Sequence, residues 1–418
     1  MTITRPDADI AVIGGGIVGL SCALQLTLCG RSVVLLDPGD TRRGASFGNA
    51  GVINRASLFP VAGPGLWRNL ARYACNRDSA VSLRYRALPG VLPWIRGALS
   101  RAHEAAWREA SAALDPLTAG ALAEHRALAE LTGAAGLLSQ RGYLKLYRTE
   151  AAFEAASLEG EILAHHRVEV VALDEHEIAD LEPVLTRRFA RGLLFPESGA
   201  VTRPGELVER YRGALAGRGA LLLESICDRI EPGPDDVAIH WPGGVLHASQ
   251  VVLAAGAWSG PLARKLGYRF PLAAERGYHR HFRVGASPSR PFHDTGGAYV
   301  VSPAGDGVVR LLSGIEIAAP GDPPNHRQIN AVTDEARQTL KLGAPVESEP
   351  WLGSRPSTPD GLPIIGRAPR HPNVIFAFGH GHIGLSTGPL TGRIVADLAD
   401  QRRPPIPIEP FAPERFRL

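Results

Sequence analysis

Residues 9 to 37 constrain the fold more than any other part of the chain. DIAVIG, residues 9–14, is an unbroken apolar run of strand length, GIVGLSCALQLTLCG supplies a following helix, and SVVLLD, residues 32–37, is a second apolar strand. Strands without polar alternation are buried on both faces, and a strand, helix, strand unit of this kind is the building block of parallel sheets. Between the first strand and the helix, Gly14, Gly16 and Gly19 form G-x-G-x-x-G. Gly14 permits the tight turn, Gly16 leaves room for pyrophosphate oxygens, and Gly19 lets the helix pack closely on the strand. Ile17 and Val18 open the helix, whose unpaired N–H groups and positive dipole end favour phosphate. Asp37 ends the second strand 23 residues after Gly14, placed to accept hydrogen bonds from ribose hydroxyls. In that context the glycines are expected to bind a dinucleotide; without it they would be read as structural.

The run IAVIGGGIVGLSCALQLTLCG, residues 10–30, is apolar enough to imitate a membrane span. Its triple glycine falls after only a few residues, and a second strand follows at once, so a buried strand, turn and helix fits better. The chain has 418 residues, 44% hydrophobic and 21% charged, the makeup of a folded globular protein with two or three domain-sized units. Its net charge of +3 is scattered without long basic runs, which argues against nucleic-acid binding. Cys22, Cys29, Cys75 and Cys227 form no disulfide framework or Cys-x-x-Cys motif, as expected of reduced thiols in the cytoplasm. Peripheral contact with the inner face of a membrane and homo-oligomerisation both stay open. No metal is expected, since His380 and His382 stand two apart in a Gly-rich turn without evident further ligands.

Further along, residues 66–138 carry apolar groups at helical spacing, with Pro89 and Pro93 expected to divide the first part into short pieces. GYLKLYRT alternates like a half-buried strand, Pro204 sits well in the first turn of a helix, and strands are expected over 276–284 and within 298–314. VIFAF, residues 374–378, is a late apolar strand followed by a Gly-rich turn and a helix ending near Ala399. These readings assign residues 1–65, 187–262 and 351–403 to a discontinuous nucleotide-binding domain. Residues 66–186 and 263–350 form a second domain with a helical insertion, and 404–418 an extended tail. The fold class is α/β and α+β: a Rossmann-type domain interleaved with a mixed-sheet domain, the active site lying where they meet.

The glycine motif alone leaves NAD and FAD open. VVLAAGAWS takes a strand straight into a small-residue turn at Ala255 and Gly256, where backbone can run close to a flavin; a plain domain-crossing bend is the alternative. SFGNAG, with Ser46, Asn49, Ala50 and Gly51, can wrap the diphosphate-to-ring region or be only a turn. Cys227, beyond the strand-like ALLLES run, is placed with the same group. In GHGHIG, Gly381, His382, Ile383 and Gly384 start a helix that can face the flavin pyrimidine ring, where negative charge gathers on reduction, or be a second packing turn. Arg355, before Pro356 and the turn-forming PDGLP, can grip a carboxylate through two parallel charge-assisted bonds; an ion pair with Asp360 is the structural alternative.

Taken together, AVIGGGIVGLSCALQL, ASFGNAG, ERGYHRHF, WLGSRPSTPDGLPIIG and NVIFAFGHGHIGLSTGPLTGRIVADL make nearly the whole chain resemble the FAD-dependent D-amino-acid oxidase/dehydrogenase superfamily, in its bacterial D-amino acid dehydrogenase branch. The resemblance implies a D-amino-acid oxidase/glycine oxidase-like fold, FAD bound non-covalently, and oxidation of an α-amino or imino acid to its imine. Arg355 matches the family's carboxylate-binding arginine. His382 stands where glycine oxidase relatives have a second substrate arginine, and is assigned to the substrate side. Tyr278 matches an aromatic position beside the flavin, though a core tyrosine is equally allowed; Arg276 and His279 are its neighbours, with Arg276 and Tyr278 expected on one face and His279 on the other. ERGYH with the histidine-containing last motif is also similar to D-hydroxyproline dehydrogenases, which implies a cyclic imino acid such as D-proline or hydroxy-D-proline. The electron acceptor is expected to be a quinone or an electron-transfer protein. A glycine or sarcosine-type oxidase, or a non-catalytic flavin subunit of a complex, is the competing expectation.

Overall fold

A computed structural model describes residues 7–78 and 80–416, with Arg43 described by its backbone alone. The opening unit forms as its pattern dictates: strand Ala8–Ile13, helix Ile17–Leu28 and strand Val33–Asp37. Both strands lie in an eight-stranded sheet with a parallel run ordered Leu221–Glu224, Val33–Asp37, Ala8–Ile13, Gly244–Leu253 and His371–Phe378. Ile10 and Val12 pack into the core on one side of this sheet, and Ala11 and Ile13 into the core on the other. Burial on both faces is what the unbroken apolar runs require, each fully buried aliphatic side chain contributing about 1.5–3 kcal/mol relative to exposure.

One layer over the sheet pairs the first helix with the late helix Gly384–Ala399. Their backbones approach so closely that a Cβ at Gly392 would stand 2.5 Å from the Ser21 carbonyl oxygen. Helices Ala121–Leu131 and Pro204–Gly217 complete that layer.

The second sheet has eleven strands. Its centre is the long strand Ala273–Val284, flanked antiparallel on one side by Val308–Leu312 and Ile315–Ile317, and on the other by Leu342–Pro345 and Trp351–Ser357. Helix Arg327–Ala336 covers one face, packing Ile329 and Val332 against Tyr278 and Phe282. Trp351–Ser357 belongs to this sheet, not to the nucleotide-binding domain as expected from sequence; so does Arg191–Phe195, which pairs with Tyr143–Tyr147. Both are short strands whose sheet is decided by their partners and not by their own pattern.

Two other expectations change. Helix Leu88–Ser100 runs through Pro93 instead of ending there; Pro93 is exposed, so water can serve the carbonyl left without its usual donor. The tail is docked, not extended along the surface: it forms two short 3-10 turns, Phe411 is fully buried, and Arg415 Nε reaches Asp360 Oδ2 at 2.8 Å. Among the described residues no helix is long and apolar enough to cross a membrane.

Candidate active site

All five parallel strands end on one edge of their sheet, and the sequence-assigned cofactor residues fall along it in a line. Gly14 has φ +110°, a conformation that favours glycine, and a Cβ there would meet the Ala254 carbonyl oxygen at 2.5 Å. At Gly19 a Cβ would stand 1.9 Å from the Gly14 oxygen, whereas at Gly16 it would meet only Ser46 Oγ, at 3.4 Å. Gly14 and Gly19 therefore serve packing, and Gly16 is the position that stays open. Ser46 Oγ accepts from the Ile17 N–H at 2.9 Å, tying the SFGNAG loop to the start of the first helix beside Val18. Asp37 Oδ2 accepts from Gly15 N–H at 2.6 Å, and Arg212 Nη1, buried without a hydrogen-bond partner, lies 3.9 Å from Asp37 Oδ1. Cys227 follows the strand ending at Glu224; burial pushes its thiol up to about 12, so it stays protonated. Ala255 and Gly256 occupy the turn after Leu253, and Gly381, His382, Ile383 and Gly384 the turn after Phe378. Helix Gly384–Ala399 has no side-chain cap and no acidic residue in its first turn, so its positive end is left for a ligand.

The mixed sheet holds the loop carrying Asn49, Ala50 and Gly51 from the other side. His279 Nδ1–H donates to the Gly48 carbonyl at 3.0 Å, and its ring stacks on Trp351 at 4.8 Å. Arg310 donates from Nη1 to the Asn49 carbonyl at 3.2 Å and from Nε to His281 Nε2 at 3.1 Å. Gly51 has φ +78°, and a Cβ there would stand 2.1 Å from the Val201 oxygen. His279, His281 and Glu347 bring metal-ligating atoms within 4.8 Å of one another, but both His281 nitrogens are engaged, Nε2 by Arg310 and Nδ1 by Glu347. The group acts as a clamp on the loop.

Arg355 stands apart from this network. Its side chain is half-buried and, among the described residues, has no ion-pair partner; the guanidinium lies over Gly277, where a Cβ would come within 2.5 Å of Nη2. Asp360, the alternative partner, is bound to Arg415. A half-buried cation held in no ion pair is a site for an external anion. Next to it, His382 joins Ser357, Thr358, Trp94 and Val61 in lining a cleft. Its ring reaches solvent through that cleft, yet surrounding protein atoms and then the Arg355 charge lower its pKa to about 4, leaving it a neutral imidazole.

Tyr278 and Arg276 are not brought to this pocket. They do share a face, as alternation required, but Arg355 is the ladder partner of Glu275, so it projects on the face of Glu275, Gly277 and His279 instead. Tyr278 is 1% exposed; its hydroxyl donates to Glu316 Oε2 at 2.8 Å and accepts from Asn325 N–H at 2.8 Å. Arg276, fully buried, donates to the carbonyls of Ala319, Asp322 and Pro323 and pairs with Glu316. Together they hold the 319–325 loop, and the core-tyrosine alternative describes Tyr278.

Compared with known proteins, residues 9–398 match the family described as DAO, FAD dependent oxidoreductase. The chain belongs to the FAD-dependent oxidoreductase family. It is 32% identical over 415 residues to a D-amino-acid oxidase of Bradyrhizobium diazoefficiens, covering 97% of this chain and 98% of that protein. A D-amino acid dehydrogenase of Paramagnetospirillum magneticum is 29% identical over 427 residues, covering 97% and 98%. The fold superposes on glycine oxidase from Geobacillus kaustophilus with a TM-score of 0.78, 23% identity, and coverage of 99% and 100%.

The edge suits FAD. Gly16 leaves space that a pyrophosphate would fill, Asp37 and the unpartnered Arg212 nitrogen would serve the adenosine end, and the uncapped Gly384 helix start would serve the ring end. FAD is held there non-covalently. Sequence reasoning passed over Arg212, Arg310, Trp351 and Glu275. Glu275 and Trp351 open the ERGYHRHF and WLGSRPSTPDGLPIIG segments, where Tyr278 and Arg355 drew the attention, and Arg212 and Arg310 lie in a helix and a strand read as scaffold.

Proposed function

We propose that this protein is a dehydrogenase that oxidises a D-amino or D-imino acid to the imine, D-proline or hydroxy-D-proline being the specific substrate class. FAD supplies the hydride acceptor, at flavin N5. The observation that carries the reading is Arg355: a half-buried guanidinium held in no ion pair among the described residues, close enough to His382 of the cleft for its charge to be felt there. It fixes the substrate carboxylate, and fixing one end orients the neighbouring carbon, so alignment carries much of the catalysis. His382, whose pKa surrounding protein atoms and then the Arg355 charge lower, packs against or hydrogen-bonds the substrate substituent. The D-configuration is supported by the names of the relatives reported above, which are a D-amino-acid oxidase and a D-amino acid dehydrogenase.

The deciding experiment is anaerobic bleaching of the bound flavin across D- and L-amino acids, including both isomers of proline and hydroxyproline. D-imino acids should bleach fastest, and Arg355→Ala should retain FAD but lose bleaching; an Arg355→Ala protein reduced as fast as the parent would refute the assignment. Because the relative with 32% identity carries an oxidase name, a D-amino-acid oxidase is the second reading. Stoichiometric peroxide under oxygen supports it, whereas rapid dye or quinone reduction with slow oxygen uptake supports the dehydrogenase.

For a membrane quinone as acceptor, the helix Leu66–Ala74 offers support. It buries no residue, exposes Trp67 at 55%, and carries Arg68 and Arg72, the composition of a peripheral contact on an anionic membrane from the cytoplasmic side. Flotation with anionic but not neutral vesicles, lost in Trp67→Ser, is the expected result; equal flotation of parent and variant would remove this support.

A further inference from the structure

Glu275, at the ladder position facing Arg355, is a charged side chain that neither the fold nor the reading above accounts for. It is fully buried, and neither carboxylate oxygen has a hydrogen bond of good geometry, the Ser357 hydroxyl being the side-chain donor that bears on it. An unsatisfied buried carboxylate is costly, and its persistence points to a ligand that satisfies it. In the antiparallel ladder Glu275 is the direct partner of Arg355, so the two side chains rise from the same face at neighbouring positions. Yet they form no ion pair: the guanidinium is turned over Gly277. An unpaired cation and an unpaired carboxyl group side by side are the charge complement of a molecule carrying a carboxylate and an ammonium on adjacent atoms.

We propose that Arg355 and Glu275 together recognise the zwitterion of an α-amino or α-imino acid, and that Glu275 takes the proton from its ammonium group. The inference rests on the amino-acid reading of the site. In the step, an N–H bond of the ammonium breaks, its electron pair stays on nitrogen, and an O–H bond forms on Glu275; nothing is oxidised or reduced. The product is the neutral amine, whose lone pair can then support loss of hydride from the neighbouring carbon.

The surroundings suit this role. Ala273 and Ile317, the same-face and cross-ladder neighbours of Glu275, belong to an apolar cluster with Val91, Trp94 and Ile95 of the Leu88–Ser100 helix. Burial there raises the carboxyl pKa, while the adjacent Ser357 hydroxyl and then the Arg355 charge pull it back. Ser357 also lines the cleft, next to the bound substrate's expected position. The other charged groups are disposed elsewhere: Arg96, on the covering helix, is exposed, Glu316 pairs with Arg84 and Arg276 on the opposite face, and His382 is held neutral. Glu275 is thus the acceptor within reach whose affinity for a proton is tuned upward.

The test compares the FAD-loaded parent, Glu275→Gln and Glu275→Asp in anaerobic flavin reduction over a pH series with D-proline and the amino-acid panel. Glu275→Gln should be slowed by about tenfold or more at neutral pH. It should recover as pH approaches the amine's own pKa, where substrate arrives already deprotonated, and Glu275→Asp should keep part of the neutral-pH rate. A Glu275→Gln profile parallel to the parent's at every pH overturns the proposal. A second arm titrates tetrahydrofuran-2-carboxylate, which has the acid group but no amine, and follows the flavin absorbance. Its binding to the parent should weaken as Glu275 ionises at rising pH and should be pH-independent in Glu275→Gln; indifference to pH in both proteins overturns the pairing. A parent flavin that no amino acid reduces defeats the functional reading, and the proton transfer with it, even where the carboxylate titration still separates the two proteins.

Discussion

Arg355 lies across Gly277, so closely that a methyl group on Gly277 would stand 2.5 Å from Nη2 and 2.9 Å from Cζ. The missing side chain at one position is what lets the guanidinium at the other rest on the sheet. Gly277→Ala is therefore expected to push the guanidinium aside while leaving FAD content unchanged. Loss of an aligned charge-assisted contact of roughly 1.5–3 kcal/mol corresponds to an increase in substrate KM of at least about tenfold. Steady-state kinetics beside flavin content checks this; an unchanged KM would mean that the arginine does not hold substrate from this position.

Gly16 and Gly19 should separate cofactor binding from folding. Gly19→Ala places a Cβ against the Gly14 oxygen at 1.9 Å and should fail to give folded protein, whereas Gly16→Ala meets only Ser46 Oγ at 3.4 Å. Gly16→Ala is expected to melt as apoprotein within about 1 kcal/mol of the parent but to bind FAD at least about tenfold more weakly. Apoprotein melting and FAD titration distinguish the outcomes.

Arg310 links the mixed sheet to the flavin loop through the Asn49 carbonyl and His281, and burial lowers its pKa only to about 10, so it remains charged at neutral pH. Arg310→Met should leave these acceptors unpaired in a buried place and cost roughly 2–4 kcal/mol. Because the loop it releases carries Asn49 to Gly51, FAD should dissociate faster as well. Denaturant unfolding of the apoprotein and the FAD release rate are the two readouts; a destabilised protein with an unchanged release rate would limit Arg310 to a structural role.

Buried histidines set the acid limit. His125 Nε2–H donates to the Leu385 carbonyl at 2.6 Å, His279 is tied to Gly48, and His380 to Thr391. Burial, with the Arg310 charge adding to it at His279, lowers their pKa values to about 4, 3 and 3. Between those values and the ordinary one near 6.5, the unfolded chain binds more protons than the folded one, so stability falls as pH falls through that window. Each histidine contributes a slope of about 1.4 kcal/mol per pH unit once the unfolded form is protonated. Urea midpoints should be level above neutrality and drop steeply in mild acid, and His125→Gln should flatten part of the drop.

Several parts of the molecule were legible before any tertiary structure. The run from Asp9 to Asp37 carries its own constraints, because buried parallel strands have to be apolar on both faces and the turn between strand and helix has to lack side chains. The late VIFAF strand with its glycine turn is legible for the same reason, and Arg355 stood out through the proline and turn residues around it. Tyr278 and Arg276 show the limit. Alternation correctly put them on one face and His279 on the other, but it says nothing about which face meets the cofactor, and the clamp of His279 and Arg310 went unseen with it. Residues 351–403 read as one stretch of the nucleotide-binding domain, yet Trp351–Ser357 pairs in the mixed sheet, because the partner strand and not the local pattern decides its place.

The sequence by itself determined the strand, turn and helix of the nucleotide-binding edge with its glycines and Asp37, and singled out Arg355 among turn-forming residues, since each depends on residues a few places apart along the chain. Only the tertiary structure decided that Arg355 faces Glu275 and lies over Gly277, that Asp360 belongs to Arg415, and that Tyr278 is turned into the core. Those relationships follow from the register of strands distant in sequence. Register is set by the packing of whole sheet faces, which no short stretch of the chain contains.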